Sequence, residues 1–274
     1  MKQYLDLLKT IQEQGTYKPA ARPNMPGTQS LFGYQFRHNL QHGFPLLTTK
    51  KMFWKGVVIE LLWFLNGDTN IKHLVDNGVN IWNEDAFQYN QKVAKYPAPN
   101  LESFIKTIKN EDLRGRVDDN GYEYGDCGFQ YGKVWRKWLG ANVHQDPNED
   151  FEGDWDVSVN YVDQINNVIN SLRKNPESPR HIVTAIDPAH DTDLALYWCH
   201  AMFQFNCRPL LDNERAVKYY ELAPREKDYS LQHGQLGKYA SNDLSSFFLT
   251  EVEKAVMGEL NIPKNHLDCQ LFQR

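Results

Sequence analysis

The order of elements legible in the chain predicts an α+β protein, with a large mixed β-sheet packed by helices. Three observations point there. Residues 57–65 (VVIELLWFL) form an apolar run suited to a buried helix. Residues 181–186, 201–205 and 267–272 are β-rich. Helical periodicities fall between these stretches without the regular strand–helix alternation that marks a parallel α/β sheet.

Taken in order, residues 2–14 read as an amphipathic helix, with Tyr4, Leu7, Leu8 and Ile11 on one face and Gly15 as its stop. Pro23, Pro26 and Gly27 keep residues 22–27 irregular. The alternation of Ser30, Phe32, Tyr34 and Phe36 predicts a strand, and residues 43–49 a short extended or turn segment. Residues 57–65 are apolar around the whole circumference except at Glu60, so this helix is expected to be buried on every side, ending at Asn66-Gly67-Asp68. Residues 84–125, interrupted by Pro97 and Pro99, read as a small helical excursion from the core.

The acidic, uncapped run at 139–158 reads as a solvated loop insertion. Val162, Ile165, Val168, Ile169 and Leu172 mark a helix that stops near Pro176. After the strand at 181–186 comes the turn-forming DPAHDTD, then the strand at 201–205. Residues 208–240 are polar and irregular. Residues 243–260 read as a helix with Leu244, Phe247, Phe248 and Val252 on its apolar face, and 267–272 begin a strand. No internal repeat is present. The expectation is one domain over 1–274, carrying insertions at about 84–125, 139–158 and 208–266.

Composition excludes several classes. Of 274 residues, 41% are hydrophobic and 24% charged, which is ordinary globular usage. A formal net charge of −5 argues against a sequence-independent nucleic-acid binder, which needs a basic surface. The N-terminus has no signal pattern and no apolar run reaches membrane-spanning length, so no membrane role is expected. The four cysteines, Cys127, Cys199, Cys207 and Cys269, form no CxxC pair, which reads as reduced thiols in a cytoplasmic compartment and not as a disulfide framework or zinc site. With no metal-binding histidine pair and no phosphate-cradling glycine loop, no metal is expected.

A few side chains are candidates for chemistry. Glu60 interrupts an apolar run, where desolvation raises a carboxyl pKa, and reads either as a proton relay or as a paired structural acid. Cys199 follows an apolar stretch and precedes an apolar strand, and is either a nucleophile or an inert core cysteine. His200 is an acid, a base or a core histidine. Arg22 and Arg180, each beside a proline, are anion ligands or surface charges. Tyr131 is a buried hydroxyl donor or packing. Trp82 is a stacking platform for a flat ligand or a core aromatic.

Read together, GFPLLTTKK (43–51), IELLWFLNGDTNIKHL (59–74), NIWNE (80–84) and YGKVWRKW (131–138) resemble the N-terminal half of the thymidylate synthase family. The resemblance continues through DQINNVINSLRKNPESPRHIVTAI (163–186), WCHAMFQF (198–205) and LDCQLFQR (267–274). It implies a reductive methylation of dUMP to dTMP, with 5,10-methylenetetrahydrofolate as one-carbon and hydride donor and dihydrofolate as product. It further implies Cys199 as the thiolate that adds to the pyrimidine, Glu60 as the proton relay, and Tyr131 beside the reacting ring. Arg22, Arg180, Arg274 and His200 fall on the substrate side. Lys50, Phe53, Ile81 and Trp82 fall where the family places its reduced folate. A homodimer is implied as well.

Three departures accompany the resemblance. ARPNMPGT replaces the family's glycine- and threonine-rich loop, displacing Arg22 by one position. Pro179 stands where the family has the second of two paired arginines. At Arg274 the sequence stops where the family continues, so the expectation is a fragment lacking the C-terminal part and inactive alone. A deoxypyrimidine monophosphate hydroxymethylase and an inactive remnant that keeps the fold are the alternatives.

Overall fold

Helix α1 (Lys2–Gln14) ends where its last turn meets Gly15, whose N–H donates to the Ile11 carbonyl at 2.8 Å. A Cβ at Gly15 would lie 2.3 Å from that carbonyl oxygen, so only glycine fits the stop. The Gln29 side-chain amide donates to the Gln12 and Gly15 carbonyls at 3.2 and 3.3 Å, tying the helix end to the antiparallel pair β1 (Thr16–Lys18) and β2 (Thr28–Ser30). In this computed structural model the described residues are 2–20, 26–35, 38, 43–144, 156–212, 214–215 and 264–273. The chain divides into two compact units, Met1–Val57 and Val58–Arg274.

The strand expected over 30–36 is a correction. Pairing stops at Ser30, Gly33 takes a left-handed φ of 77°, and Phe32 is fully exposed. A bend at Phe32 and Gly33 interrupts the alternation after Ser30, and Phe36 lies outside the described residues. Over 43–49, where an extended or turn segment is expected, residues 43–48 form neither helix nor strand and a bend begins at Thr49.

Helix α2 (Trp54–Leu65) ends as predicted, with Gly67 at φ 72° and its N–H on the Phe64 carbonyl at 2.9 Å. Its burial departs from expectation. Trp63 and Phe64 are 0% and 6% exposed, yet Leu61 and Leu62 on the other side are 48% and 47% exposed. A uniformly apolar run carries no polar face to mark the outside, so packing partners alone choose which side is covered.

Within the stretch 84–125, two helices reach the core. After α3 (Lys72–Asp76), helices α4 (Asn83–Val93) and α5 (Leu101–Asn110) insert Ala86, Phe104 and Ile108 into the cluster that holds Trp63, Ile71, Leu74 and Val79. Asn100 caps α5 by accepting from the Ser103 N–H at 2.8 Å.

Helix α6 (Tyr131–Arg136) leads into β3 (Trp138–His144), which pairs antiparallel with β4 (Asp156–Val162). The loop expected over 139–158 therefore has strands at both ends, and residues 145–155 lie outside the described residues. Opposed pairs such as Leu139↔Tyr161 and Ala141↔Val159 share one face. Acidic residues between the strands obscure that alternation in sequence.

Helix α7 (Gln164–Lys174) starts on Asp163, whose carboxylate accepts from the Asn166 N–H at 2.9 Å. Beyond it, β5 (Ile182–Thr184), a 3-10 turn at Pro188–His190, β6 (His200–Pro209) and β7 (Asn265–Gln273) complete the unit, with the strands in the antiparallel order β5-β6-β7. The class is mixed α and β, as predicted. The described strands form three antiparallel sheets of two, two and three strands and not one large mixed sheet. The helix expected at 243–260 lies outside the described residues. Among the described residues no helix is long and apolar enough to cross a membrane.

Candidate active site

The site grows from two segments that run against each other, 127–131 and 193–200. Phe129 N–H donates to the Asp193 carbonyl and Ala195 N–H to the Cys127 carbonyl, both at 2.9 Å. Gly128 makes the approach possible: it has φ 76°, and a Cβ there would sit 2.4 Å from the Asp193 oxygen. Side chains then extend the pairing. The Gln130 amide donates to the Leu196 carbonyl at 2.7 Å, and the Trp198 indole to the Phe129 carbonyl at 3.2 Å.

At the end of this seam the Tyr131 hydroxyl accepts both the Cys199 N–H at 2.7 Å and the His200 N–H at 3.0 Å. Tyr131 is buried, and burial pushes its hydroxyl above the ordinary phenol range, with backbone donors pulling it partly back and the Cys199 and Glu60 charges adding to the rise. The phenol therefore stays protonated, and its own hydrogen remains to be donated. Cys199 is half-buried with its Sγ 3.9 Å from the Tyr197 carbonyl oxygen. Burial lowers the His200 pKa, which favours the neutral ring, and its Nδ1 has no partner among the described residues. Its ring lies 5.4 Å from that of Tyr131.

Glu60 enters from α2. Burial holds its carboxyl above the ordinary carboxylate range, and a 2.6 Å hydrogen bond from the Trp82 indole opposes the rise. Phe64 joins the two halves, with its ring 4.8 Å from Tyr131 and 6.1 Å from Trp82. Glu60, Trp82, Tyr131, Cys199 and His200 thus form one neighbourhood.

Trp82 itself is 5% exposed and packs edge-on against Trp63, as a core aromatic does, whereas its neighbour Ile81 is 54% exposed. Arg180 is exposed ahead of β5, its N–H on the Ser178 hydroxyl at 3.2 Å, and no described carboxylate pairs with its guanidinium. Lys50 and Phe53 are exposed in the first unit. Arg22 and Arg274 lie outside the described residues. Sequence reasoning gave no role to Gln130, or to Trp198 although it opens the WCHAMFQF stretch. It also missed the Asp187–His190 pair at 2.9 Å, whose imidazole stacks on Phe129 at 3.6 Å. Among the described residues no group of three or more histidine, cysteine or acidic side chains is placed to hold a metal.

A mixed α/β unit that brings a thiol, a buried phenol and a desolvated carboxyl together has the groups for nucleophilic and proton-transfer chemistry. The thymidylate synthase family profile matches residues 2–232. The thymidylate synthase of Mycoplasma mobile is 35% identical over 276 residues, covering 98% of this chain and 83% of that protein. That of Listeria innocua is 33% identical, with 98% and 84% covered. The Mycoplasma genitalium protein is 40% identical over 205 residues, an alignment covering 75% of this chain but only 61% of that relative. The chain belongs to the thymidylate synthase family, the methyltransferases of dTMP biosynthesis.

Proposed function

We propose that this protein converts dUMP to dTMP through a covalent adduct on Cys199, taking both the one-carbon unit and a hydride from 5,10-methylenetetrahydrofolate. The observation that supports this reading most is the double hydrogen bond from the Cys199 and His200 amides to Tyr131, which fixes the thiol-bearing backbone beside a protonated phenol. The thiolate adds to the pyrimidine, and the displaced electron pair moves to the neighbouring ring carbon and its carbonyl. That carbon bonds to the one-carbon unit and gives up its proton, and the bond from the one-carbon unit to the folate nitrogen breaks as the folate leaves as an amine, producing the exocyclic methylene. Hydride reduces the exocyclic methylene as the thiolate departs, leaving dTMP and dihydrofolate.

Glu60 serves the proton steps. A carboxyl raised by burial holds and returns a proton near neutrality, as a relay to the ring carbonyl requires. Arg22, Arg180 and Arg274 bind the substrate phosphate, with His200 beside the nucleotide. Lys50, Phe53 and Ile81 contact the folate, and Trp82 supports that end by holding Glu60. We further infer a single thymidylate synthase-like domain with a larger sheet than the described strands form, a cytoplasmic location and a homodimer. The exposed Leu267 and Leu271, on one face of β7, leave apolar area there for a second copy.

The test is tritium release from ring-labelled dUMP in the presence of the folate, with mass spectrometry of the adduct formed by a fluorinated nucleotide inhibitor. Wild type releases tritium and carries the adduct on Cys199, and Cys199→Ser does neither. An adduct on another residue, or none on Cys199, ends this reading.

A further inference from the structure

We propose that Gln130 and Trp198 are positioning residues for Cys199, clasping the two segments on which Tyr131 meets the Cys199 and His200 amides. The proposal rests on the reading of Cys199 as the nucleophile. Backbone pairing between the segments ends at Phe129–Asp193 and Ala195–Cys127, because Tyr131 turns into α6 and His200 into β6. Past that point the segments diverge, and no backbone bond joins residues 130–131 to 196–200 among those described.

The two side chains fill that gap reciprocally. Gln130 reaches from the first segment to the Leu196 carbonyl, and Trp198 reaches from the second back to the Phe129 carbonyl. Both residues are 0% exposed. Gln130 occupies the N-cap position of α6 in extended conformation, yet its side chain makes no cap bond and is spent on the opposite segment. Apolar side chains would fill the same volume. What they would lack is the donor, and each lost donor leaves a partly buried carbonyl unpaired, that of Leu196 three residues before Cys199 or that of Phe129 two residues before Tyr131. The seam then ends on the Tyr131 oxygen, where the two amides converge from one side. Displacing the 196–199 segment by about 1 Å is enough to cost roughly a hundredfold in rate where reacting groups must be aligned.

The experiment uses Trp198→Phe and Gln130→Met in the full chain, two changes that remove the donor and keep most of the volume. Tritium release is measured per site titrated with the fluorinated nucleotide, and hydrogen exchange is followed at the Cys199 and His200 amides. Expected is a fall in kcat of roughly tenfold or more, KM for dUMP held within about twofold, and faster exchange confined to the end of the seam. In a Tyr131→Phe background the added loss from Trp198→Phe shrinks towards none, since the clasp acts through Tyr131. Unchanged kcat per titrated site together with unchanged exchange overturns the proposal, as does the same fold loss with and without Tyr131. If Trp198→Phe does not fold, Gln130→Met alone carries the measurement, and exchange decides independently of turnover. Tritium release by Cys199→Ser at the wild-type rate would instead remove the nucleophile reading, which the exchange data do not touch.

Discussion

The indole Nε1 of Trp82 donates a 2.6 Å hydrogen bond to Oε1 of Glu60, joining the start of α4 to the middle of α2. The donor stabilises the charged carboxylate, while burial destabilises it and dominates. Replacing Trp82 with phenylalanine leaves burial in place and removes the opposing bond. The Glu60 pKa in Trp82→Phe is therefore higher than in wild type, and carboxyl-carbon NMR titration reads the shift directly. An unchanged or lower midpoint contradicts this balance.

Glu60 also links stability to pH. Its folded pKa lies above the ordinary glutamate value, so the folded state holds this proton more tightly than the unfolded state. The resulting stability is fully present below the unfolded pKa and is lost as pH rises through the folded one. Glu60→Gln is neutral at every pH and keeps an acceptor for Trp82. Its Tm advantage over wild type should be close to zero near about pH 4 and grow towards about pH 8, while tritium release falls. A constant Tm difference across that range would show that desolvation of Glu60 is not felt by folding.

Tyr131→Phe keeps the ring packing against Phe64 and Trp135 and removes the single oxygen that serves two amides. Stranding a partly buried donor costs about 1–3 kcal/mol. Urea unfolding should report a loss in that range, with unchanged slope. A loss well below it would mean that the Cys199 and His200 amides find another acceptor.

Phe104 is 0% exposed, with its ring 5.8 Å from Phe87 and 5.1 Å from Tyr124. Truncation at such a site costs about 3–5 kcal/mol. Phe104→Ala should lower the stability of the second unit accordingly. A change under about 1 kcal/mol would mean that α5 is the peripheral excursion its sequence suggests.

The parts of this protein legible in sequence are those set by neighbours along the chain. Gly15 stops α1 and Gly67 stops α2, because each acts on a turn that contains it. Glu60 stood out because a carboxyl in an apolar run is costly wherever the run is buried. The strands β6 and β7 were visible from their apolar content. The β3–β4 hairpin was hidden, since its pairing joins residues separated by an acidic stretch and its register is invisible without the partner strand.

By itself, the sequence determined which residues carry chemical capacity, roughly where α1, α2 and α7 run, and which family the chain resembles, since side-chain identity and short-range backbone preference are local properties. Only the tertiary structure decided which side of α2 is covered, that Trp82 faces Glu60, that α4 and α5 are core, and that Tyr131 gathers two amides 68 and 69 positions away. Those outcomes depend on contacts between distant segments, and burial and hydrogen-bond geometry acquire values only once such segments meet.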